Sequence, residues 1–256
     1  MIEAQNVTKR YGDFLAVDAV SFTAEAGEVV GFLGPNGAGK TTTMRILTGF
    51  LPATDGTARI DGHDIFDEPL AARRAVGYLP ESPPLYPEMD VRGFLHYVAK
   101  LKDVPRARRA EAVERAVERC GLEEVHRRVI GSLSKGFRQR VGIAQAIVHE
   151  PSVLILDEPT VGLDPIQIRE IRSLIQDLSG DAESGHTIVL STHILAEVEA
   201  ICRRVILIHQ GRKVVDSSLA ELIQGGKRLE DVFARATLRE EPAGSPDAAD
   251  AGEGAA

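Results

Sequence analysis

A glycine-rich segment lies between an apolar run and a helical pattern, and its residue types are suited to binding phosphate. The segment comprises Gly34, Pro35, Asn36, Gly37, Ala38, Gly39, Lys40, Thr41 and Thr42. Glycines let backbone N–H groups turn towards a phosphate, and the N-terminal end of the following helix adds partial positive charge. Lys40 supplies charge for the β- and γ-phosphates, and the Thr41 hydroxyl suits a bridging Mg²⁺. This spacing predicts a nucleotide-binding phosphate loop.

Two adjacent carboxylates follow an apolar run at 153–156, which predicts a buried strand. Asp157 is the residue type that holds the hydration shell of Mg²⁺, and Glu158 the type that orients and polarises an attacking water. An Asp-Glu pair is also compatible with an acidic helix start. Because Lys40 lies upstream, metal-assisted hydrolysis is the favoured interpretation.

Two more polar residues follow predicted elements. His193 lies just beyond a strand predicted at 187–190, at the strand end where open α/β sheets bind ligands. There its imidazole is placed to sense a γ-phosphate, although a lone histidine is more often structural. Asp164 directly precedes Pro165, a pattern that is equally typical of a turn before a helix.

Composition indicates a globular protein. The chain has 256 residues, of which 43% are hydrophobic, and a net charge of −8. The acidic balance argues against a general nucleic-acid binder, which needs a basic excess to replace phosphate counterions. Cys120 and Cys202 have no nearby partner and are predicted to be small buried side chains in a reducing compartment. No leader pattern and no apolar stretch of roughly 18 residues occurs, so the sequence predicts a soluble chain.

The pattern of apolar residues predicts how the chain is organised. Residues 1–33 are predicted to form strands, and residues 91–149 are predicted to be helical, with Phe94, Val98 and Leu101 on one helix face. After residue 150, strands and helices alternate, which is typical of a parallel sheet. The last residues, rich in Pro, Gly, Ala, Asp and Glu without periodicity, predict a disordered acidic tail.

The segment 133–140 reads LSKGFRQR and begins a predicted helix with Ser134. Basic residues in a first turn oppose the helix dipole, so phosphate contact explains them better than capping alone. With the phosphate loop, the Asp157-Glu158 pair and His193 in this order, the chain resembles the nucleotide-binding subunit of ATP-binding cassette (ABC) transporters to about residue 235.

The resemblance implies a fold and a domain organisation. The expected fold class is α/β, a RecA-like P-loop NTPase core with an N-terminal antiparallel β subdomain and an inserted α-helical subdomain. The ABC ATPase domain would cover 1–235, its helical subdomain about 85–150, and the acidic tail 236–256.

The resemblance also implies site residues and a dimer. Two subunits would pair head to tail, each ATP lying between one phosphate loop and the partner's signature segment, where Ser134 and Gly136 would cap the γ-phosphate. Tyr11 would stack on adenine, and Asp164 would belong to the nucleotide site. Glu81, in place of the usual glutamine, would bind Mg²⁺ together with Thr41 and Asp157. The implied catalytic residues are Lys40, Glu158 and His193.

Two segments depart from the common pattern of the family, and both point to one branch of it. Lys135 replaces a glycine and Phe137 the glutamine of the common signature, and residues 79–81 read LPE. Together these forms resemble the gliding-motility and NosF-like branch of single-cassette ATPases, whose permeases are separate, type-2 exporter-like proteins. In the family, the region corresponding to 82–89 cradles a permease coupling helix, whereas Leu85 and Tyr86 are equally compatible with core packing.

The sequence therefore predicts an ATPase, with ATP and Mg²⁺ as cofactors, that drives export through a separate integral membrane permease. A second ABC subunit, an identical copy, is the expected partner, and the chain would lie in the cytoplasm at the inner face of the membrane. No nucleic-acid partner is expected. The alternatives are a soluble ABC-type ATPase acting on ribosomes or nucleic acid, and a phosphate-loop kinase or GTPase. The signature segment and the absence of an Asn-Lys-x-Asp stretch argue against the latter.

Overall fold

The computed structural model describes residues 1–180 and 185–238, which form two sheets with helices packed against them. The strands are β1 (Ile2–Tyr11), β2 (Phe14–Ala24), β3 (Val29–Leu33), β4 (Asp55–Ile60), β5 (His63–Asp64), β6 (Val76–Leu79), β7 (Val153–Asp157), β8 (Thr187–Thr192), β9 (Arg204–His209) and β10 (Arg212–Ser218). The helices are α1 (Lys40–Leu47), α2 (Pro69–Ala75), α3 (Val91–Leu101), α4 (Arg109–Arg119), α5 (Lys135–Ile147), α6 (Pro165–Gly180), α7 (Leu195–Ile201), α8 (Leu219–Leu222) and α9 (Leu229–Leu238).

The larger sheet has the strand order β10-β9-β3-β8-β7-β6. All pairs are parallel except β10 with β9, which form an antiparallel hairpin at the edge. Every residue of β3, β7 and β8 is buried, as expected for strands covered by helices on both faces. The predicted parallel sheet is confirmed, and the chain segments that follow β3, β7 and β8 all leave from the same edge.

The smaller sheet is antiparallel, in the order β2-β1-β4-β5. Its inner face shares a core with β3, in which Phe22 and Phe32 make an aromatic contact at 5.6 Å between ring centroids. The predicted fold class, a P-loop NTPase core with an N-terminal antiparallel β subdomain and a helical insertion, is confirmed.

Helices α3, α4 and α5 pack on one another between β6 and β7 in the chain, where the sequence predicts helices. Phe94 and Val98 are buried on the predicted face of α3. Leu101 shares that face but lies on the last turn, where 62% of its surface is exposed. The α3 stripe therefore stops one turn earlier than its periodicity predicts.

Helix α2 is absent from the sequence prediction. It begins with Pro69 at its first turn, and only Ala72 is buried, so the apolar periodicity that reveals a helix is missing. At the other end of the chain, α9 extends to Leu238, so residues 236–238 are helical and the tail predicted at 236–256 begins too early. The rest of that tail lies outside the described residues.

Both cysteines are free and buried, as the sequence predicts. Burial raises the thiol pKa of Cys120 and of Cys202 to about 12. A buried thiol with a raised pKa is a poor nucleophile and a poor metal ligand. Among residues 1–180 and 185–238, no helix combines the length and apolar character that crossing a bilayer requires.

The contact between β6 and α5 leaves no room for a side chain at Gly77. A Cβ atom there would meet the carbonyl oxygen of Ala146. We expect Gly77→Ala to lower the free energy of unfolding by about 1–3 kcal/mol, as overpacking does. Gly180→Ala is the matched control, because a Cβ there meets no atom of the described residues within 4 Å. Urea unfolding measures the free energy of unfolding of both variants. Equal values would show that β6 and α5 can move apart to accept a side chain at little energetic cost.

Candidate nucleotide site

The phosphate loop joins β3 to α1, and backbone contacts require its glycines. Gly37 and Gly39 have positive φ angles of 79° and 102°, which favour glycine. A Cβ on Gly39 would lie 2.5 Å from the carbonyl oxygen of Ala16, and a Cβ on Gly34 would meet that of Ile208. The loop is therefore closely packed on its protein side, which leaves its other side for a ligand.

A hairpin far along the chain holds the loop in place. The amide of Gly211, between β9 and β10, donates to the carbonyl oxygen of Ala38 at 3.0 Å. The carbonyl oxygen of Gly211 accepts from the amide of Asp18 in β2 at 2.9 Å. Gly211 has a φ of 80°, which favours glycine, so this hairpin turn also supports the phosphate loop.

The Lys40 side chain is 5% exposed and is held by oxygen atoms. Its ammonium donates to the carbonyl oxygens of Gly34 at 2.9 Å and Pro35 at 3.2 Å. It also lies 3.5 Å from Oε1 of Glu158. A buried ammonium that faces the inner surface of a glycine-rich loop is a ready contact for a phosphate.

Asp157 ends β7 and is fully buried. Its Oδ1 atom accepts from the hydroxyl of Ser191 at 2.7 Å, whereas its Oδ2 atom is buried without a hydrogen-bond partner among the residues that the structure describes. Burial raises the pKa of Asp157, while the hydroxyls of Ser191 and nearby Thr41 and the charge of Lys40 act to lower it. A buried carboxylate oxygen without a partner is costly, and a cation beside Thr41 would satisfy it.

Glu158 and His193 face each other across the ends of β7 and β8. Nδ1 of His193 lies 2.9 Å from Oε1 and 3.0 Å from Oε2 of Glu158. A carboxylate can only accept, so Nδ1 carries the proton and donates. The backbone of Glu158 has a φ of 51°, and its amide donates to the carbonyl oxygen of Ser191 at 2.8 Å. This unusual conformation directs the Glu158 side chain to the histidine.

These groups line one cleft of about 640 Å³. Its lining residues are Tyr11, Phe14, Ala16, Asn36, Gly37, Gly39, Lys40, Thr41, Thr42, Glu81, Glu158, Val161 and His193. The cleft thus brings together the phosphate loop, Tyr11, Glu81, Glu158 and His193 from distant parts of the sequence. Sequence reasoning missed Val161 and, in β2, Phe14 and Ala16, although Phe14 is a conspicuously exposed aromatic, at 63%.

Seven predicted site residues do not line this cleft. Gly34, Pro35 and Ala38 belong to the phosphate loop itself, and Asp157 is fully buried near Thr41. The other three lie elsewhere. Ser134 and Asp164 are N-caps: the Ser134 hydroxyl accepts from the amide of Phe137 at 3.3 Å, and Asp164 accepts from the amides of residues 166 and 167 at 2.9 Å. Gly136 is buried against Gln167, whose side chain lies 2.7 Å from where a Cβ would stand.

These three residues nevertheless lie where the start of α5 meets the start of α6, with Ser134 and Asp164 exposed and Gly136 buried. The Lys135 side chain packs over Gly162, and Gly136 packs against Gln167, so the start of α5 rests on the segment leading into α6. Gly162 has a φ of 71° and leaves space for the lysine. The signature segment and Asp164 therefore form a second polar surface, separate from the cleft around Lys40.

A family profile described as ABC transporter matches residues 17–161, which is more than half of the chain. The chain belongs to the ABC transporter family. It is an ATP-binding subunit and an ATPase, and subunits of this family dimerise and work with a membrane permease.

Named relatives support this membership. The bacitracin transport ATP-binding protein BcrA of Bacillus licheniformis is 39% identical over 212 residues, covering 83% of this chain and 68% of the relative. The Nod factor export ATP-binding protein I of Burkholderia lata is 36% identical over 248 residues, covering 94% and 79%.

A solved structure supports the fold of the ABC subunit. A dimeric post-hydrolysis state of the ATP-binding cassette MJ0796, bound to ADP and Pi, superposes with a TM-score of 0.76. It is 26% identical, and the match covers 86% of this chain and 99% of that one.

Lys40 carries the only full positive charge of the phosphate loop, so its removal is a direct test of the cleft. We expect Lys40→Met to weaken ATP binding by roughly 10- to 100-fold, since hydrogen bonds to charged groups are lost. Lys100→Met, at an exposed position of α3, is the control and should bind as the unmodified chain does. Equilibrium binding of a fluorescent ATP analogue measures both. Unchanged affinity in Lys40→Met would place the nucleotide elsewhere.

Proposed function

We propose that two copies of this ABC subunit form a head-to-tail homodimer with two composite ATP sites, which drives export through a separate permease. The observation that carries the proposal is the division of polar groups on one chain. Lys40, Glu158 and His193 line the cleft, with Asp157 buried near Thr41, whereas Ser134 lies outside the cleft lining. In a dimer where the Ser134 surface of each chain covers the cleft of the other, both sets of polar groups face the same nucleotide.

In this proposal the phosphate loop binds the β- and γ-phosphates. Its backbone amides and the Lys40 ammonium neutralise negative charge, and the protein side of the loop is fixed by the Gly211 hairpin. Tyr11 is 48% exposed at the cleft and provides a face for adenine, with Phe14 next to it. Ser134 and Gly136 of the partner cap the γ-phosphate through the start of α5.

The residues present also fit Mg²⁺, the ion expected for this family. The unpartnered Oδ2 of Asp157 and the nearby hydroxyl of Thr41 are oxygen ligands of the kind Mg²⁺ takes, and Glu81 adds a carboxylate at the cleft. Mg²⁺ typically binds through one or two carboxylates together with substrate phosphates. When bound, it would neutralise charge that develops on the phosphates.

Glu158 is the proposed base that polarises the attacking water. The hydrogen bond from His193 Nδ1 fixes its carboxylate, and its 8% side-chain exposure keeps it away from bulk water. The Lys40 ammonium lies 3.5 Å from Oε1 of Glu158, so it faces both the phosphate loop and the proposed base.

The proposed permease contact is the segment 82–89 next to Glu81. Leu85 packs against the core, whereas Tyr86 is 44% exposed and makes edge contacts with the rings of Phe94 and Tyr97. Leu85 therefore fits the core-packing alternative, whereas Tyr86 is available to contact a partner. The relative named for Nod factor export supports export as the direction, with this subunit bound to the permease at the inner face of the membrane.

Replacing the proposed base separates hydrolysis from binding. We expect Glu158→Gln to reduce kcat by roughly 10²- to 10³-fold, because the amide keeps the shape but cannot accept the proton from water. ATP affinity should stay within about twofold, and a dimer should accumulate with ATP, as sedimentation would show. Turnover equal to that of the unmodified chain would remove Glu158 from the mechanism.

The composite site is tested by crosslinking two different chains. One carries Asn36→Cys in the phosphate loop and the other Ser134→Cys, both in a Glu158→Gln background that retains ATP. Both positions are exposed, and the native cysteines are buried. A short bis-maleimide should join the two chains only when ATP is present.

Arg106→Cys, exposed in the loop between α3 and α4, replaces Ser134→Cys in the control mixture and should give no crosslink. If the Asn36 and Ser134 variants fail to crosslink while ATP is bound, the head-to-tail arrangement is wrong.

A further inference from the structure

Glu197, in the first turn of α7, is a buried carboxylate that the proposed mechanism does not use. It is 1% exposed, and both of its oxygens accept hydrogen bonds from threonine hydroxyls. Oε1 accepts from Thr160, and Oε2 accepts from Thr192 at 2.8 Å. A buried charge is costly unless it is fully hydrogen-bonded, so this pair of bonds is a specific arrangement.

The two threonines flank the reacting groups in the sequence. Thr160 lies two residues after Glu158, and Thr192 directly precedes His193. The Thr192 hydroxyl also accepts from the amide of Ile194 at 3.1 Å, on the other side of the histidine. The Glu197 carboxylate therefore links the segments on both sides of the hydrogen bond between His193 and Glu158.

The rest of α7 does not need a charge at this position. Val198 and Ile201 pack the helix into the apolar core, and the helix starts only two residues after β8 ends. Burial raises the pKa of Glu197, whereas the Thr192 hydroxyl and the Arg172 guanidinium act to lower it. An apolar side chain would pack α7 equally well, so packing alone does not explain the carboxylate.

We propose that Glu197 is a positioning residue, which holds the Glu158 segment and the His193 segment at the separation that ATP hydrolysis requires. This inference rests on the proposed roles of Glu158 and His193. Without the carboxylate, Thr160 and Thr192 lose their common acceptor. The two segments that carry Glu158 and His193 are then no longer linked through Glu197, and the contact of His193 Nδ1 with the Glu158 oxygens, at 2.9 and 3.0 Å, is no longer held in place.

The first experiment compares two buried threonines of the same strand in the intact chain. Thr192→Val removes the hydroxyl that binds Glu197, and we expect kcat to fall roughly 10- to 100-fold, since small misplacements of reacting groups have effects of this size. KM for ATP should change less than about twofold, because the phosphate loop is untouched.

Thr187→Val is the matched control. Thr187 lies at the other end of β8 and is 2% exposed, and its hydroxyl bonds to the backbone of Glu25 and Gly27. Its kcat per folded molecule should equal that of the unmodified chain. Equal losses in the two variants would attribute the effect to damage to β8, and would overturn the proposal.

The second experiment asks whether Glu197 acts through His193. Glu197→Ala should lower kcat roughly 10- to 100-fold, and Glu197→Gln should recover part of it, because the amide keeps one acceptor oxygen. In a His193→Ala background, Glu197→Ala should lower kcat by less than about twofold, since the contact that Glu197 positions is already gone.

Single-turnover hydrolysis of radiolabelled ATP, at a temperature where each variant is folded by circular dichroism, measures these slow rates. The same fold loss in both backgrounds would make Glu197 a general structural residue. If Glu197→Ala does not fold, the Thr192→Val and Thr160→Val variants in the same two backgrounds give the test.

The two proposals fail differently. If Glu158→Gln keeps full turnover, the proposed mechanism is wrong irrespective of Glu197. If Glu158→Gln is inactive while Glu197→Ala and Thr192→Val retain full kcat, only the positioning role of Glu197 is wrong.

Discussion

In the central sheet, Leu33 of β3 pairs with Thr192 of β8, and Ser191 of β8 pairs with Asp157 of β7. These parallel pairings align three strand ends, so the phosphate loop, the acidic pair and the histidine leave the sheet side by side. A slip of one residue in either pair would turn the affected side chains to the other face of the sheet. The buried apolar side chains of the three strands prevent that slip. The hydrophobic core therefore fixes the relative positions of the phosphate loop, the acidic pair and the histidine.

The same edge of the sheet concentrates charge that the core would otherwise exclude. Lys40, Asp157, Glu158 and Glu197 are all buried. Their charges are offset by one another, by backbone carbonyls and by hydroxyls, but the Oδ2 atom of Asp157 is left without a hydrogen bond. Burying these charges lowers the stability of the folded chain, and binding of phosphate and a cation would raise that stability again.

The sequence predicted those parts of the site that are local in the chain. The phosphate loop, the Asp157-Glu158 pair after β7 and the position of His193 after β8 each have a short pattern with a physical meaning. Phe14, Ala16, Gly211 and Glu197 have none. They reach the site through pairings between distant segments, such as the hairpin amide that supports Ala38, and one sequence does not reveal such contacts. Helix α2 was missed because almost nothing on it is buried.

The start of α5 rests on the start of α6, with Lys135 over Gly162 and Gly136 against Gln167. The α6 segment begins only a few residues after Glu158, so a shift at one catalytic carboxylate moves the surface that covers the opposite nucleotide in the proposed dimer. In the proposed dimer, a change at one nucleotide would then be transmitted to the other, and ATP turnover at the two sites would be coupled.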